Sequence, residues 1–225
     1  MKNSVKKMGA MLVALVMVCA LFAGCGANTA QPDASTPDGS MMLQLNTLKT
    51  GKISDLSLYD AQAIDEQLEG SGMTLSQIEN LVKGIFGKTN YQIESVEEIS
   101  DTRANVTISG QAVDMAKYIP LVGTEFIAQV TEFSTQNDTA DMSQEEATKE
   151  IMGILLSAIE AKQSSVTLKD VTATIAMEKK DGKWDVVQDE ENVNEMLTLL
   201  MGGSMEEIQE SVQNTFGNMF GGLAA

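Results

Sequence analysis

From about residue 40 onward the chain alternates between two hydrophobic periods. "SMMLQLNTLKTGKIS" sets Met41, Leu45 and Leu48 on one face of a helix that ends near Gly51. "LYDAQAIDEQLEG" predicts a second helix ending near Gly70. "MTLSQIENLVKGIF" predicts a third: Thr74 and Gln77 form a capping box, and Leu75, Ile78, Leu81, Val82, Ile85 and Phe86 share one stripe. A continuous stripe of that kind is read as core.

The period then drops to two. "YQIESVEEI" and "TRANVTISGQAVD" read as strands joined by the short link "SDT", a hairpin. In the second strand Ala104, Val106 and Ile108 point one way and Arg103, Asn105, Thr107 and Ser109 the other, the mark of a half-buried antiparallel strand. A helical excursion follows. Pro120 reads as a first-turn residue of a helix carrying Val122, Phe126, Val130 and Phe133. "STQNDTADM" reads as a loop. Ser143 and Glu146 make a second capping box, opening a helix from about Gln144 to Lys162 that buries Ala147, Ile151, Leu155 and Ile159.

"VTLKDVTATIAMEKK" puts Val171, Ala173, Ile175 and Met177 on one face, while Val166 and Leu168 are out of phase, which predicts a bulge near Lys169-Asp170. Asp181-Gly182 is the turn of a two-residue hairpin, and "KWDVV" returns with Trp184 and Val186 inward. Asp189, Glu190 and Glu191 suit a helix N-terminus, and that helix runs through about Met201 to the Gly202-Gly203 stop. Residues 204–225 form a last amphipathic helix and tail. Ser204 and Glu207 cap it, and Met205, Ile208, Val212, Phe216 and Met219 face opposite Glu206, Glu210, Gln213 and Asn214. That stripe either packs on the domain's own core or fills a groove in another envelope protein. Two hairpins separated by helices define an α+β domain over 40–203, an antiparallel sheet of about four strands packed with helices.

The N-terminus changes the picture from fold to address. Lys2, Lys6 and Lys7 precede an uncharged apolar run from Met8 to Gly24, the pattern of a secretory signal peptide spanning 1–24. The run is shorter than the ~20 residues of a spanning helix, so an uncleaved membrane anchor is the lesser alternative. "LFAGC" resembles the bacterial lipobox. In that family the cysteine, here Cys25, receives a diacylglycerol thioether and becomes the mature N-terminus. The alternative is an ordinary cut nearby that leaves a free thiol. Residues 25–39 then comprise the lipidated cysteine and a linker, "GANTAQPDASTPDG", too polar and proline-rich to fold. As a loose coil it reaches about 20 Å. The membrane is thus the first expected partner, held through lipid on Cys25, at the outer face of the cell membrane.

Charge excludes other partners. Three of the 15 basic residues lie in the signal segment, leaving 12 against 32 acids, a mature net charge of −20. Such a surface repels nucleic acid and anionic lipid, so no nucleic-acid binding is expected.

The segments "LQLNTLKTGKISDLSLY", "YQIESVEEISDTRANVTISGQAVD" and "MEKKDGKWDVV" resemble the nuclear transport factor 2-like, cystatin-like cone fold, and in particular Gram-positive lipoproteins with domains of unknown function. The resemblance implies a curved sheet wrapping a helix, with a pocket or a dimer face on its concave side. It assigns no activity.

The chemical inventory is sparse. The chain has no histidine, and Arg103 is its single arginine, so no histidine-based triad or metal ligand and no phosphate clamp can be assembled. No cofactor, metal or catalytic residue is assigned. Four features are candidates. Asp138, Asp141, Glu145 and Glu146 offer oxygen ligands for calcium but lack a calcium-loop pattern, and capping acids are the simpler reading. Tyr91, Tyr118 and Asp114 could serve as acid and base in a cone pocket. Arg103 could meet an anionic ligand or pair with Glu97 across the strands. The methionines after the signal could form an adaptable surface, although their helical spacing favours packing. The expected function is a non-catalytic binding or accessory module of the cell envelope. A pocket enzyme of isomerase type and a solute-binding lipoprotein are the alternatives.

Overall fold

The computed structural model describes residues 34–52, 74–136 and 142–221. In chain order these form α1 (Pro37–Thr50), α2 (Leu75–Phe86), β1 (Asn90–Ser100), β2 (Arg103–Val113), α3 (Met115–Gln136), α4 (Gln144–Lys162), a 3-10 turn (Gln163–Ser165), β3 (Leu168–Lys180), β4 (Lys183–Val186), α5 (Glu190–Met201) and α6 (Met205–Gly221). The strands make one antiparallel sheet in the order β1-β2-β3-β4. The α+β class is therefore as the hydrophobic periods indicate: two hairpins with a helical excursion between β2 and β3. The expected second helix, "LYDAQAIDEQLEG", lies outside the described residues.

One face of the sheet is the core. Ala104, Val106, Ile108, Val171, Ala173, Ile175, Met177, Trp184 and Val186 are all buried there, as their alternation predicts. α1 lies against β4, β2 and β1 with Met41, Leu45 and Leu48 inward, and α5 covers β3 and β2. α1 starts earlier than its apolar pattern suggests. Thr36 accepts from Gly39 N, and Pro37 takes the first-turn position, where its missing N–H costs nothing. Pro37–Gly39, read from sequence as linker, are thus helical. The Ser40 hydroxyl donates to the Trp184 carbonyl at 2.6 Å and fixes α1 to β4. Gly51 closes α1 at φ 75°, a left-handed conformation that glycine adopts without strain.

Local turn and cap chemistry behaves as expected at three further points. The capping boxes of Thr74–Gln77 and Ser143–Glu146 form, and Asp181 and Gly182 both take positive φ (53° and 83°), the primed hairpin turn. Asp189 caps α5 by accepting from Asn192 N at 2.8 Å.

Other expectations fail for physical reasons. Pro120 does not begin a helix; α3 starts at Met115, so the proline sits inside it. Pro120 has no N–H to offer the Ala116 carbonyl. That carbonyl instead accepts from the Ser211 hydroxyl of α6 at 3.1 Å, so a distant residue satisfies what the proline leaves open. The bulge near Lys169-Asp170 is absent: β2 and β3 pair without a break from Arg103↔Glu178 to Val113↔Leu168. Val166 is out of phase because it precedes the strand, at the end of the 3-10 turn. In α4, Leu155 and Ile159 are buried as expected, but Ala147 and Ile151 are only half-buried, and Met152 and Ala158 are buried beside them. α3 also continues to Gln136, into the segment read as loop.

α3, α4 and α6 pack together beyond the end of β2. Tyr118 donates to the Ile159 carbonyl at 3.1 Å, and Lys162 pairs with Glu125 at 2.8 Å, tying α4 to α3. α6 lies on α3 where Gly123 permits close approach: a Cβ there would stand 2.1 Å from Thr215 Cγ2. Ile208 and Phe216 are buried in that contact, and Phe216 meets Phe126 edge-on. From Met205 to Phe216 the stripe of the last helix is therefore occupied by its own domain, and the Met219 side chain lies outside the described residues. Met41, Met115, Met152, Met177, Met196 and Met201 are buried, so these methionines pack the core and offer no surface. Among the described residues no helix is long and apolar enough to cross a membrane.

Candidate functional site

The residues suggested for pocket chemistry are dispersed into structural duties. Asp114 is buried at the end of β2. Its Oδ1 accepts from Lys117 N at 3.3 Å and its Oδ2 pairs with Lys117 Nζ at 2.7 Å, so the carboxylate starts α3. Tyr118 stands one turn on, but its hydroxyl is turned to the α4 backbone, and burial pushes its pKa up to about 12. Tyr91 is half-buried opposite Gly110, where a β-carbon would stand 2.1 Å from the Asn90 carbonyl oxygen and 2.9 Å from Tyr91 Cδ1, so the backbone and the ring pack against the glycine. Asp114 and Tyr118 thus share a helix turn without sharing a task, and Tyr91 belongs to the sheet.

The suggested calcium ligands are not assembled by the described residues. Asp138, Asp141 and the Glu145 side chain lie outside them. The Glu146 carboxylate accepts from Ser143 N and Oγ at 3.0 and 2.7 Å, and those bonds lower its pKa. Arg103 does not pair with Glu97. The tight turn at Asp101-Thr102 sets Arg103 opposite Ser100 on β1 and Glu178 on β3, while Glu97 lies further up the strand opposite Asn105.

What the structure leaves accessible is the other face of the sheet and its β1 margin. Cross-strand rows run Gln92–Ser109–Thr172, Ser95–Thr107–Thr174 and Glu97–Asn105–Ala176. The Thr107 and Thr174 hydroxyls meet at 3.1 Å, and Gln111 donates to Asp170 at 3.1 Å. Glu94 is held by Ser109 and by Gln92 (2.7 Å); the Ser109 bond is the larger of the two causes that lower its pKa. This face is polar, exposed and internally bonded.

The two long margins of the sheet are treated differently. Beyond the end of short β4, the free edge of β3 is sealed by α5. Asn192 accepts from Ala176 N at 2.7 Å and donates to the Ala176 and Val187 carbonyls at 2.9 and 2.8 Å, while Glu195 accepts from Thr174 N at 3.3 Å. β1 has no such cover among the described residues. From Glu94 to Ser100 it is exposed on both faces, and Val96 and Ile99 stand 38% and 57% exposed. Sequence reasoning missed this surface. Its signal was the break in alternation between Ile93 and Val96, where a bulge interrupts the pairing.

At the other end of the sheet Asp185 stands opposite Glu178 on the polar face. Burial raises its pKa; Lys180 and Lys183 oppose that, and Glu178 adds to it.

No protein-family model matches the chain. No curated protein matches it either. Among solved structures it is similar to a Bacillus subtilis crystal structure described as "a putative lipoprotein (ycdA)". The two share 19% identity at a TM-score of 0.39, over 62% of this chain and 44% of that one. The chain thus spans less than half the length of that protein.

Proposed function

We propose that this protein is a lipid-anchored, non-catalytic binding or accessory module at the outer face of a bacterial cell membrane. The anchor follows from the N-terminal residues: lysines, an apolar run, then Ala23-Gly24-Cys25. Two or three acyl chains on Cys25 hold firmly where one chain alone is marginal. The linker gives the domain reach, and its acidic surface keeps it off anionic lipid.

The binding role rests on one observation, the apolar filling of the inner sheet face. Val106, Ile108 and Ile175 are 0% exposed at the positions where a cone pocket would open. A pocket enzyme needs an acid and a base poised near the working pH. Here Tyr118 is moved away from that range, and Asp114 is tied to Lys117 and the α3 backbone. Partners are then met on the polar face and the β1 margin. The cone-like kinship drawn from the quoted segments belongs to this proposal, and the β1-β2-β3-β4 meander is compatible with it.

The test is Cys25→Ser in the full chain, followed by membrane fractionation with an alkaline wash. Loss from the membrane fraction is expected. Retention there would mean that the apolar run itself is the anchor, and would overturn the lipoprotein reading.

A further inference from the structure

We propose that the exposed part of β1, from Glu94 to Ser100, docks an extended basic segment of a partner polypeptide by strand addition. The inference rests on the binding-module reading and gives it a surface and a partner chemistry.

In an antiparallel strand every second residue turns its N–H and C=O away from its neighbour. On β1 those groups face away from β2, and no described element pairs with them. An open edge of this kind is a template for another strand. The fold seals the β3 edge with Asn192 and Glu195, and no described element pairs with the outer edge of β1 from Glu94 to Ser100.

The side chains narrow the choice of partner. Val96 and Ile99, two of the three exposed large hydrophobics among the described residues, lie on this strand. Ile99 is the extra residue of the bulge between Glu98 and Ser100, and a bulge re-aims the side chain it carries. Around them stand Glu94, Glu97, Glu98 and Asp101, all exposed, with no base before Arg103. No ion pair joins any of the four acids to the described residues. Hydrogen bonds from Ser109 and Gln92 keep Glu94 ionised.

Those charges decide between occupants. A second copy would set glutamates against glutamates across the new ladder, which is destabilising. An anionic membrane is repelled for the same reason. An extended segment that alternates Lys or Arg with apolar residues meets the acids with charge and Val96 and Ile99 with surface. The acids that blunt the edge against self-association thereby select a basic strand. The bulges at Ile93/Ser95 and Glu98/Ser100 limit the regular stretch to Ser95–Glu98, so the added strand is short.

The test uses the detergent-solubilised full-length mature protein and an acetylated alternating lysine–valine octapeptide. Affinity is read by fluorescence anisotropy and location by amide hydrogen exchange. The controls are the same peptide N-methylated at alternate amides, which cannot pair as a strand, and the Glu97→Lys/Glu98→Lys protein. Slowed exchange within residues 94–100 is expected, with binding weakened about tenfold or more by either control. Binding that survives N-methylation is charge attraction alone and overturns the proposal. Protection elsewhere, or no binding, overturns it equally. The assay does not depend on membrane fractionation, so its failure leaves the anchor intact, and loss of the anchor leaves this result standing.

Discussion

Phe216→Ala tests whether α6 belongs to the fold or hangs from it. Phe216 is 4% exposed, and its ring meets Phe126 with centroids 6.2 Å apart and planes at 68°. Removing a large buried aromatic costs about 3–5 kcal/mol, of which an aromatic pair accounts for ~0.5–1.5 kcal/mol. The ring lies toward the end of the last helix, where α6 can tilt to close part of the gap. The loss is therefore expected at the lower end, about 3 kcal/mol. For a chain of this size that lowers the melting temperature by about 6–12 °C. A domain with about 5–15 kcal/mol in hand remains folded. Thermal and urea denaturation followed by circular dichroism measure the effect, with an unchanged urea m-value showing that the same surface unfolds. A shift below about 2 °C would refute the reasoning. It would mean that the ring is not held against Phe126, that α6 docks loosely, and that its stripe is free for an envelope partner.

Two further outcomes follow from the sheet. Asn192→Ala leaves the Ala176 N–H without its side-chain partner and opens the β3 edge, so the urea midpoint should fall by the equivalent of about 2–4 kcal/mol. Light scattering should rise with protein concentration, whereas an unchanged midpoint would show that the edge needs no seal. Asp185 holds its proton to a higher pH in the folded chain than in the unfolded one, chiefly through burial. Folding therefore takes up a proton at pH values between the ordinary carboxylate pKa and the raised one, and stability falls as pH rises through that window. Asp185→Asn should melt at or above the parent temperature at pH 7, with the difference vanishing below the ordinary carboxylate pKa; a lower melting point at pH 7 contradicts this.

Features set by a few adjacent residues were legible in the sequence. The Thr74–Gln77 and Ser143–Glu146 boxes, the Asp181-Gly182 turn and the Gly202 stop depend on local geometry, and each lies where its residues put it. The inner faces of β2 and β3 were legible because period-two alternation over many residues leaves one choice of face. What failed depends on partners far along the chain. Pro120 reads as a helix start by local rule, and the donor that meets the Ala116 carbonyl in its place, Ser211, lies far along the chain on α6. The Tyr118 hydroxyl reads as free chemistry until α4 brings the Ile159 carbonyl to it. Arg103 and Glu97 read as a pair until the position of the turn is known, which sets Ser100 opposite Arg103 and Asn105 opposite Glu97. The candidate surface was missed because an exposed apolar residue on a strand looks like a buried one until the cover on each face is known.

Mass spectrometry of the protein purified from membranes decides whether Cys25 is the anchor. A mature chain beginning at Cys25, with a diacylglycerol thioether on its sulfur, is expected. A mature chain that begins elsewhere, or that carries Cys25 unmodified, would contradict anchoring at Cys25.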